Sequence, residues 1–236
     1  MANVLGNIGG GAELLEHGIR YVQVGAPEPD KVEELQADLK AQGLQAIGLT
    51  ALYLEEDTVA TEAASEAWIN AFDAAVKMGV DLALSSIKAD EEMRPKVCEW
   101  LKTMGDEAAQ RGITVALETH PSLVHNAEAA LKTMEATDHP NIRINFDTGN
   151  ISFYTDGADA VTELKKIAQY VVSTHLKDHS GNFDEWDFPT LGAGAVDFAG
   201  VKQVLEDVGF QGPWIMQAPG DMKQAVGHLR SLGFGQ

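Results

Sequence analysis

Four segments of this chain each read as a β-strand whose last positions carry a group able to bind a metal or move a proton. They are Ile113-Thr-Val-Ala-Leu-Glu-Thr-His120, Ile142-Arg-Ile-Asn-Phe-Asp147, Val171-Val-Ser-Thr-His175 and Pro213-Trp-Ile-Met-Gln217, and the groups are Glu118, Asp147, His175 and Gln217. Two carboxylates, an imidazole and an amide oxygen form a donor set suited to a divalent cation. The spacings are 29 residues (118 to 147), 28 (147 to 175) and 42 (175 to 217). The first two match one strand-loop-helix-loop unit of roughly 30 residues. Successive parallel strands therefore deliver one donor apiece to the same end of a sheet.

The elements that position these groups repeat along the whole chain. Strand candidates are Asn3–Leu5, Tyr21–Val24, Ala46–Leu52, Leu82–Ile87, Thr114–Glu118, Arg143–Asp147, Val171–Leu176 and Trp214–Gln217. Amphipathic stretches lie between them. Lys31 to Lys40 sets Val32, Leu35 and Leu39 on one face, with Asp30 as N-cap and Gly43 as stop. Thr61 to Lys77 and Arg94 to Gln110 read the same way, ending near Gly79 and Gly112. Eight strand-helix repeats imply parallel pairing through crossovers, and eight strands close a barrel. An open doubly wound sheet is the alternative, but it would not usually gather four strand ends around one point. The first repeat is short, with only Gly9 to Glu16 before the turn at Gly18, and Gly6 to Gly11 reads as a flexible loop.

Strand parity sharpens the site, because side chains alternate between faces. Glu118 and His120 share one face of the fifth strand, opposite Val115 and Leu117. Asn145 and Asp147 oppose Ile144 and Phe146, Ser173, His175 and Lys177 oppose Val172, Thr174 and Leu176, and Gln217 opposes Met216. The polar sets thus point to the barrel axis at the C-terminal ends of the strands, where barrel active sites form. Lys177, Asn150 and Lys88 are candidate substrate-binding residues. Gln23 also ends its strand on the inner side. Asp178, of opposite parity to Lys177, reads as structural. The long connection from His179 to Asp197 reads as a lid or wall whose aromatics cover one side of the active-site cavity.

Composition bounds the function. A chain of 236 residues fits one barrel of about 250, and no linker divides it, so residues 1–236 read as one domain. Thirty-six acidic residues against 17 basic give a net charge of −19, which would repel a nucleic-acid backbone. The lone Cys98 cannot form an internal disulfide and reads as a buried thiol on a helix. No apolar run reaches the ~18 residues of a membrane span, and Met1 to Gly11 lacks the marks of a signal peptide, so the expected location is the cytoplasm. Homo-oligomerisation is compatible with the sequence but not specified by it.

Five motifs add a resemblance. Ala116-Leu-Glu-Thr-His120, Asn145-Phe-Asp-Thr-Gly-Asn150, Thr174-His-Leu-Lys-Asp178, Leu191-Gly-Ala-Gly-Ala-Val-Asp-Phe198 and Gly212-Pro-Trp-Ile-Met-Gln217 resemble successive motifs of the xylose-isomerase-like TIM barrel superfamily. The resemblance implies a single (β/α)8 barrel. It covers residues 112–217 well and the N-terminal half by its strand-helix rhythm alone. It equates Glu118, Asp147 and His175 with three family metal ligands and position 217 with the fourth, where the family usually has Glu. Sugar isomerases, keto-sugar epimerases, inosose and 3-dehydroshikimate dehydratases and 3-keto-glycoside lyases belong to this group. DNA-repair endonucleases do too, but the acidic balance argues against that activity here.

The expected function is divalent-metal-dependent isomerisation or epimerisation of a small sugar, sugar phosphate or keto-polyol, through proton removal beside a metal-chelated carbonyl. Mn²⁺, Mg²⁺ or Co²⁺ suits the donors, and Zn²⁺ is compatible. Family epimerases are thought to use two glutamates on opposite faces of the substrate, and Gln217 cannot act as a base. Glu118 and His120 remain as catalytic candidates on one face. A lyase or dehydratase using His120 is the first alternative, and a non-catalytic sugar- or metal-binding barrel the second.

Overall fold

A computed structural model describes residues 3–217 and 219–235. Eight parallel strands form a closed barrel: β1 (Leu5–Ile8), β2 (Tyr21–Gly25), β3 (Gln45–Leu54), β4 (Leu82–Ile87), β5 (Thr114–Glu118), β6 (Ile142–Asp147), β7 (Val171–Leu176) and β8 (Trp214–Met216). β8 pairs back onto β1, with Leu5 beside Trp214 and Asn7 beside Met216. The crossover helices are α1 (Val32–Ala41), α2 (Glu62–Met78), α3 (Arg94–Gln110), α4 (Ala127–Thr137), α5 (Thr148–Tyr154), α6 (Ala160–Ile167), α7 (Phe198–Asp207) and α8 (Met222–Ser231). A 3-10 turn at Ala12–His17 replaces the first helix, and α5 and α6 share one crossover.

Local sequence explains the helix ends. The Thr61 hydroxyl accepts from Ala64 N–H to start α2, and Gly79 ends it at φ 69°, a left-handed conformation that side chains disfavour. Asn126, Asp159 and Asp221 cap α4, α6 and α8 in the same manner. Asp30 does not cap α1: the helix starts one residue later on Lys31, with no side-chain cap. The helices bury their apolar faces on the outside of the barrel. Trp68 and Phe72 of α2 are wholly buried against each other, and Trp68 meets Trp100 of α3. No helix among the described residues is long and apolar enough to cross a membrane.

β2, β3 and β6 run one or two residues beyond their expected bounds, and the larger departures concern the first and last strands. The first strand runs over Leu5–Ile8, not Asn3–Leu5, so Gly6 and Asn7 belong to the sheet rather than to a glycine-rich loop. The reason is close packing: a Cβ on Gly6 would lie 2.9 Å from Ile47 Cδ1 and 3.1 Å from the Tyr21 carbonyl oxygen. The last strand ends at Met216, although Gln217 N–H still donates to Leu176 O at 3.0 Å.

Register sets the site. Glu118 pairs with Asn145, Asp147 with His175, and His175 with Ile215. An irregularity after Ile144↔Val171 makes Asn145 the neighbour of Ser173. Without that shift Asp147 would stand beside Thr174, on the opposite face from His175. The inward polar residues then bond to one another, as when Ser173 Oγ donates to Asn145 Oδ1 at 2.7 Å.

Candidate metal centre

Glu118, Asp147 and His175 meet at the C-terminal end of the barrel. One ligand atom from each lies within 4.8 Å of the others, and all three residues are buried. His175 Nδ1 stands 3.0 Å from Glu118 Oε1 and 3.9 Å from Asp147 Oδ2. Ligands about 2.1–2.3 Å from one hard cation are separated by roughly 3 to 4.5 Å, so these distances suit a shared ion. Asp147 is also the N-cap of α5, where Oδ1 accepts from Gly149 and Asn150 N–H at 3.0 and 2.9 Å. Those bonds fix the carboxylate and leave Oδ2 to the site.

Unmet hydrogen-bonding capacity tests the fit to a cation. Glu118 Oε2, Asp147 Oδ2 and Gln217 Oε1 are buried acceptors without a hydrogen-bond partner. Each such group costs about 1–3 kcal/mol unless something pairs with it. Acceptor oxygens lacking donors, beside an imidazole, call for a positive ion. On the far side of His175, Nε2 lies 3.2 Å from Gln23 Oε1, and Gln23 Nε2 donates to Thr50 Oγ1 at 2.9 Å. In that arrangement Gln23 Oε1 accepts a hydrogen bond from Nε2–H, and the Nδ1 lone pair faces the carboxylates, the tautomer a metal ligand requires.

The two carboxyls titrate apart. Burial works against ionised Glu118, but the adjoining His175 and the fields of His120 and Lys177 outweigh it, so its pKa falls below the ordinary value. Burial dominates at Asp147 and raises it despite Lys177 and His175, with the Glu118 charge pushing the same way.

His120 lies one step outward on the same face. Its Nδ1 is 2.9 Å from Ser86 Oγ and 3.4 Å from Glu118 Oε2. Where Ser86 Oγ accepts from Nδ1–H, Nε2 is left as the base. Burial lowers the His120 pKa to about 4, against the opposing pull of Glu118, so the ring is neutral near pH 7. The ring of Tyr154, at the end of α5, packs 5.3 Å from it. Burial and then the Asp147 and Glu118 charges hold the Tyr154 phenol at about 12, so it remains a donor.

A family profile described as Xylose isomerase-like TIM barrel matches residues 12–232. This chain belongs to that family. An inosose dehydratase from Klebsiella pneumoniae is 27% identical over 150 residues, which are 56% of this chain and 50% of that protein. An L-ribulose-5-phosphate 3-epimerase from Salmonella paratyphi A is 29% identical over 133 residues, 55% of this chain and 45% of that protein. The chain spans about half the length of these curated relatives. Over nearly the whole fold, a xylose isomerase-like TIM barrel protein from Mycobacterium smegmatis, solved in complex with magnesium, superposes with a TM-score of 0.78. It is 16% identical and the match covers 94% of this chain and 86% of that one.

In this xylose isomerase-like barrel the 179–197 connection walls a cavity that Gln217 and Lys177 share, and Glu118, His120, Asp147 and His175 are not among its lining residues. Trp186 and Phe188 join Asn7, Lys177 and Gln217 around a cavity of about 660 Å³, whereas Phe183 stays outside it. Lys177 Nζ lies 3.9 Å from the Phe188 ring centre and 3.1 Å from Asn150 Oδ1. Asn150 is buried, and its Nδ2 donates to Thr119 O, so it holds Lys177 from beneath instead of lining the cavity. Lys88 is exposed past β4, and its charge helps keep His120 neutral. Sequence reasoning missed Ser86 and Tyr154. Ser86 lies next to the last residue of β4, but its partner is 34 residues away; Tyr154 arrives on a helix, where strand parity has nothing to say.

Proposed function

We propose that this protein is a divalent-metal-dependent enzyme that moves a proton beside the carbonyl of a small keto-sugar or keto-polyol. The observation that carries the reading is the buried Glu118–Asp147–His175 group, in which Glu118 Oε2 and Asp147 Oδ2 have no hydrogen-bond partner, with His120 Nδ1 3.4 Å from Glu118 Oε2. Glu118, Asp147 and His175 would hold the ion, with Gln217 as a fourth, neutral ligand. Mn²⁺, Mg²⁺ or Co²⁺ suits this oxygen-rich set, and Zn²⁺ is compatible. When bound, such an ion supplies Lewis acidity that polarises a ketone and orients the adjacent hydroxyl. His120 would take the proton from the hydroxyl-bearing carbon beside the carbonyl and return it to the former carbonyl carbon, while the proton of that hydroxyl passes to the carbonyl oxygen, which isomerises the sugar. Glu118 orients His120 through its second oxygen.

The acid-base groups Glu118 and His120 share one strand, and across the barrel stands Gln217, which accepts no proton at neutral pH. One-sided proton transfer fits isomerisation between adjacent carbons better than epimerisation by two carboxylates. It fits dehydration as well: His120 removes the proton and passes it to a departing hydroxyl. The inosose dehydratase among the relatives favours this second reading, and the ribulose-phosphate epimerase keeps the isomerase/epimerase class in view.

A test is to incubate the Mn²⁺-loaded protein with a panel of ketoses and keto-polyols in D₂O and follow it by NMR. Metal-dependent deuterium uptake is expected, with an isomer as product in the first reading and an unsaturated or deoxy product in the second. Metal-replete His120→Asn should lose about two to four orders of magnitude in rate. Uptake that survives metal removal, or is unchanged in His120→Asn, contradicts the proposal.

A further inference from the structure

We propose, on the metal-dependent reading above, that Tyr154 is a second catalytic residue, which carries the hydroxyl proton to the carbonyl oxygen beside His120. Isomerisation between adjacent carbons moves two protons, one from carbon to carbon and one from oxygen to oxygen. His120 Nε2 holds the carbon-bound proton while the enediolate exists, and Nδ1 is engaged with Ser86 Oγ. The oxygen-bound proton is left to another group. In this step the electron pair of the broken C–H bond forms the carbon–carbon double bond. The carbonyl π pair moves onto its oxygen, which takes the phenolic proton. As His120 returns its proton to the former carbonyl carbon, the phenolate takes the proton of the neighbouring hydroxyl, whose electron pair closes the new carbonyl. Tyr154 ends as it began, and no oxidant or reductant is consumed.

Local structure brings the phenol to that place. Asp147 caps α5 and Tyr154 follows it by seven residues, two helical turns on, so both lie on one side of the helix. The Tyr154 ring packs 5.3 Å from the His120 ring and 4.8 Å from that of Phe153. Phe153 in turn meets Trp186 and Phe188 of the 179–197 connection. These neighbours hold the ring, whereas its hydroxyl is accessible and makes no hydrogen bond among the described residues. A tyrosine hydroxyl in such surroundings usually has a partner. Burial first, and then the charges of Asp147 and Glu118, raise the phenol, so its oxygen stands in the field of the metal centre. Packing is the rival explanation, but a phenylalanine would fill the stack against His120 and Phe153 equally well. Tyr53 is the rival phenol. An irregularity in β3 between Thr50 and Leu52 sets Tyr53 beside Ser86, on the inward face. Yet Tyr53 is 65% exposed, and no ring contact fixes it among the described residues.

Tyr154→Phe keeps the ring and removes one accessible hydroxyl, and circular dichroism checks that the variant is folded. Wild type, Tyr154→Phe and Tyr53→Phe, each saturated with Mn²⁺, are incubated in D₂O with D-fructose, D-tagatose and D-ribulose. NMR reads deuterium in the recovered ketose and the amount of isomer formed. Tyr154→Phe should form isomer about a hundredfold more slowly, the lower end of what a positioned acid/base contributes. Exchange into the recovered ketose should fall less than about tenfold, because His120 still removes and returns the carbon-bound proton. The ratio of exchange to isomer therefore rises about tenfold or more, and stays at the wild-type value in Tyr53→Phe. An unchanged ratio in Tyr154→Phe, even with both rates lowered, shows a packing role and overturns the proposal, as does a larger rise in Tyr53→Phe. Binding gives a readout that needs no turnover. Glycolohydroxamate, a planar mimic of an enediolate, should bind Mn²⁺-saturated Tyr154→Phe about tenfold more weakly than wild type, the loss of one hydrogen bond to a charged oxygen. D-fructose, a ground-state ligand, should change less than about twofold. Equal weakening of both ligands, or of neither, overturns the proposal. Wild type that exchanges nothing with Mn²⁺ present contradicts the proposed function, and the Tyr154 step falls with it. Wild type that exchanges, with the same ratio in Tyr154→Phe, sinks the Tyr154 step alone.

Discussion

At the scale of single residues, this site is organised by what each polar atom lacks. Glu118, Asp147 and Gln217 each keep one buried oxygen without a donor, while the neighbouring Ser173 and Thr119 hydroxyls have partners. His120 gives a pH test. Its pKa is about 4 in the folded chain and about 6.5 when unfolded, so the unfolded state takes up the proton first as pH falls. The contribution of a neutral His120 is complete above pH about 6.5 and is lost progressively towards pH 4. Each pKa unit corresponds to about 1.4 kcal/mol, so metal-free wild type should lose about 2–3 kcal/mol more than His120→Gln between pH 7.5 and 4.5. Urea unfolding at both pH values measures this; equal losses in the two proteins would show that His120 is not held neutral by burial. Gln217 gives a second test. Gln217→Glu adds a charge to the donor set and should tighten Mn²⁺ binding about tenfold or more. Calorimetry that shows no tightening places Gln217 outside the coordination sphere.

At the scale of elements, the sequence made most of the barrel readable because strand periodicity and helix caps are local signals. β4, β5 and β7 have the boundaries that their apolar runs predict, and α2 stops at Gly79 as expected. What escaped depends on contacts distant in sequence. Gly6 lies in β1 because Ile47 and Tyr21 approach it too closely for a side chain. Ser86 meets His120 across 34 residues, and no local pattern records the pairing. Asp178 shows both sides of the matter: parity marked it as structural, but only the fold reveals its load. Its carboxylate accepts from the N–H groups of His179, Gly192, Gly194 and Val196 at 2.8–3.2 Å, pinning both ends of the 179–197 connection. A Cβ on Gly194 would come 2.3 Å from Asp178 Oδ1. Asp178→Ala leaves those donors unpaired and should cost about 3 kcal/mol or more, with protease cleavage appearing between residues 179 and 197. A variant as protease-resistant as wild type would show that this connection is held by its aromatic contacts instead.

At the scale of the whole molecule, chemistry and packing occupy opposite ends of the barrel. The other sizeable cavity, about 360 Å³, opens at the N-terminal end among Ile47, Leu82, Val172, Val208 and Phe210. Asp81 is its one carboxylate among the lining residues, and none of them is a histidine, so it has no donor set for an ion. An ion that binds the folded chain alone should stabilise it by about 2.7 kcal/mol at a hundred times its Kd. For a domain of this size that amounts to roughly 5–11 °C in Tm. Calorimetric scans with and without Mn²⁺ would register the shift, and a Tm indifferent to the ion would argue against a built site.

The central claim is that Glu118, Asp147 and His175 form one metal centre. Elemental analysis of Mn²⁺-equilibrated protein, after removal of free ion, tests it most directly in wild type and Asp147→Ala, with circular dichroism confirming that both are folded. The account predicts about one ion per wild-type chain and less than about a tenth of that in Asp147→Ala, since the variant removes both an oxygen ligand and a charge. Equal metal content in the two folded proteins, or no retained metal in wild type, would contradict it.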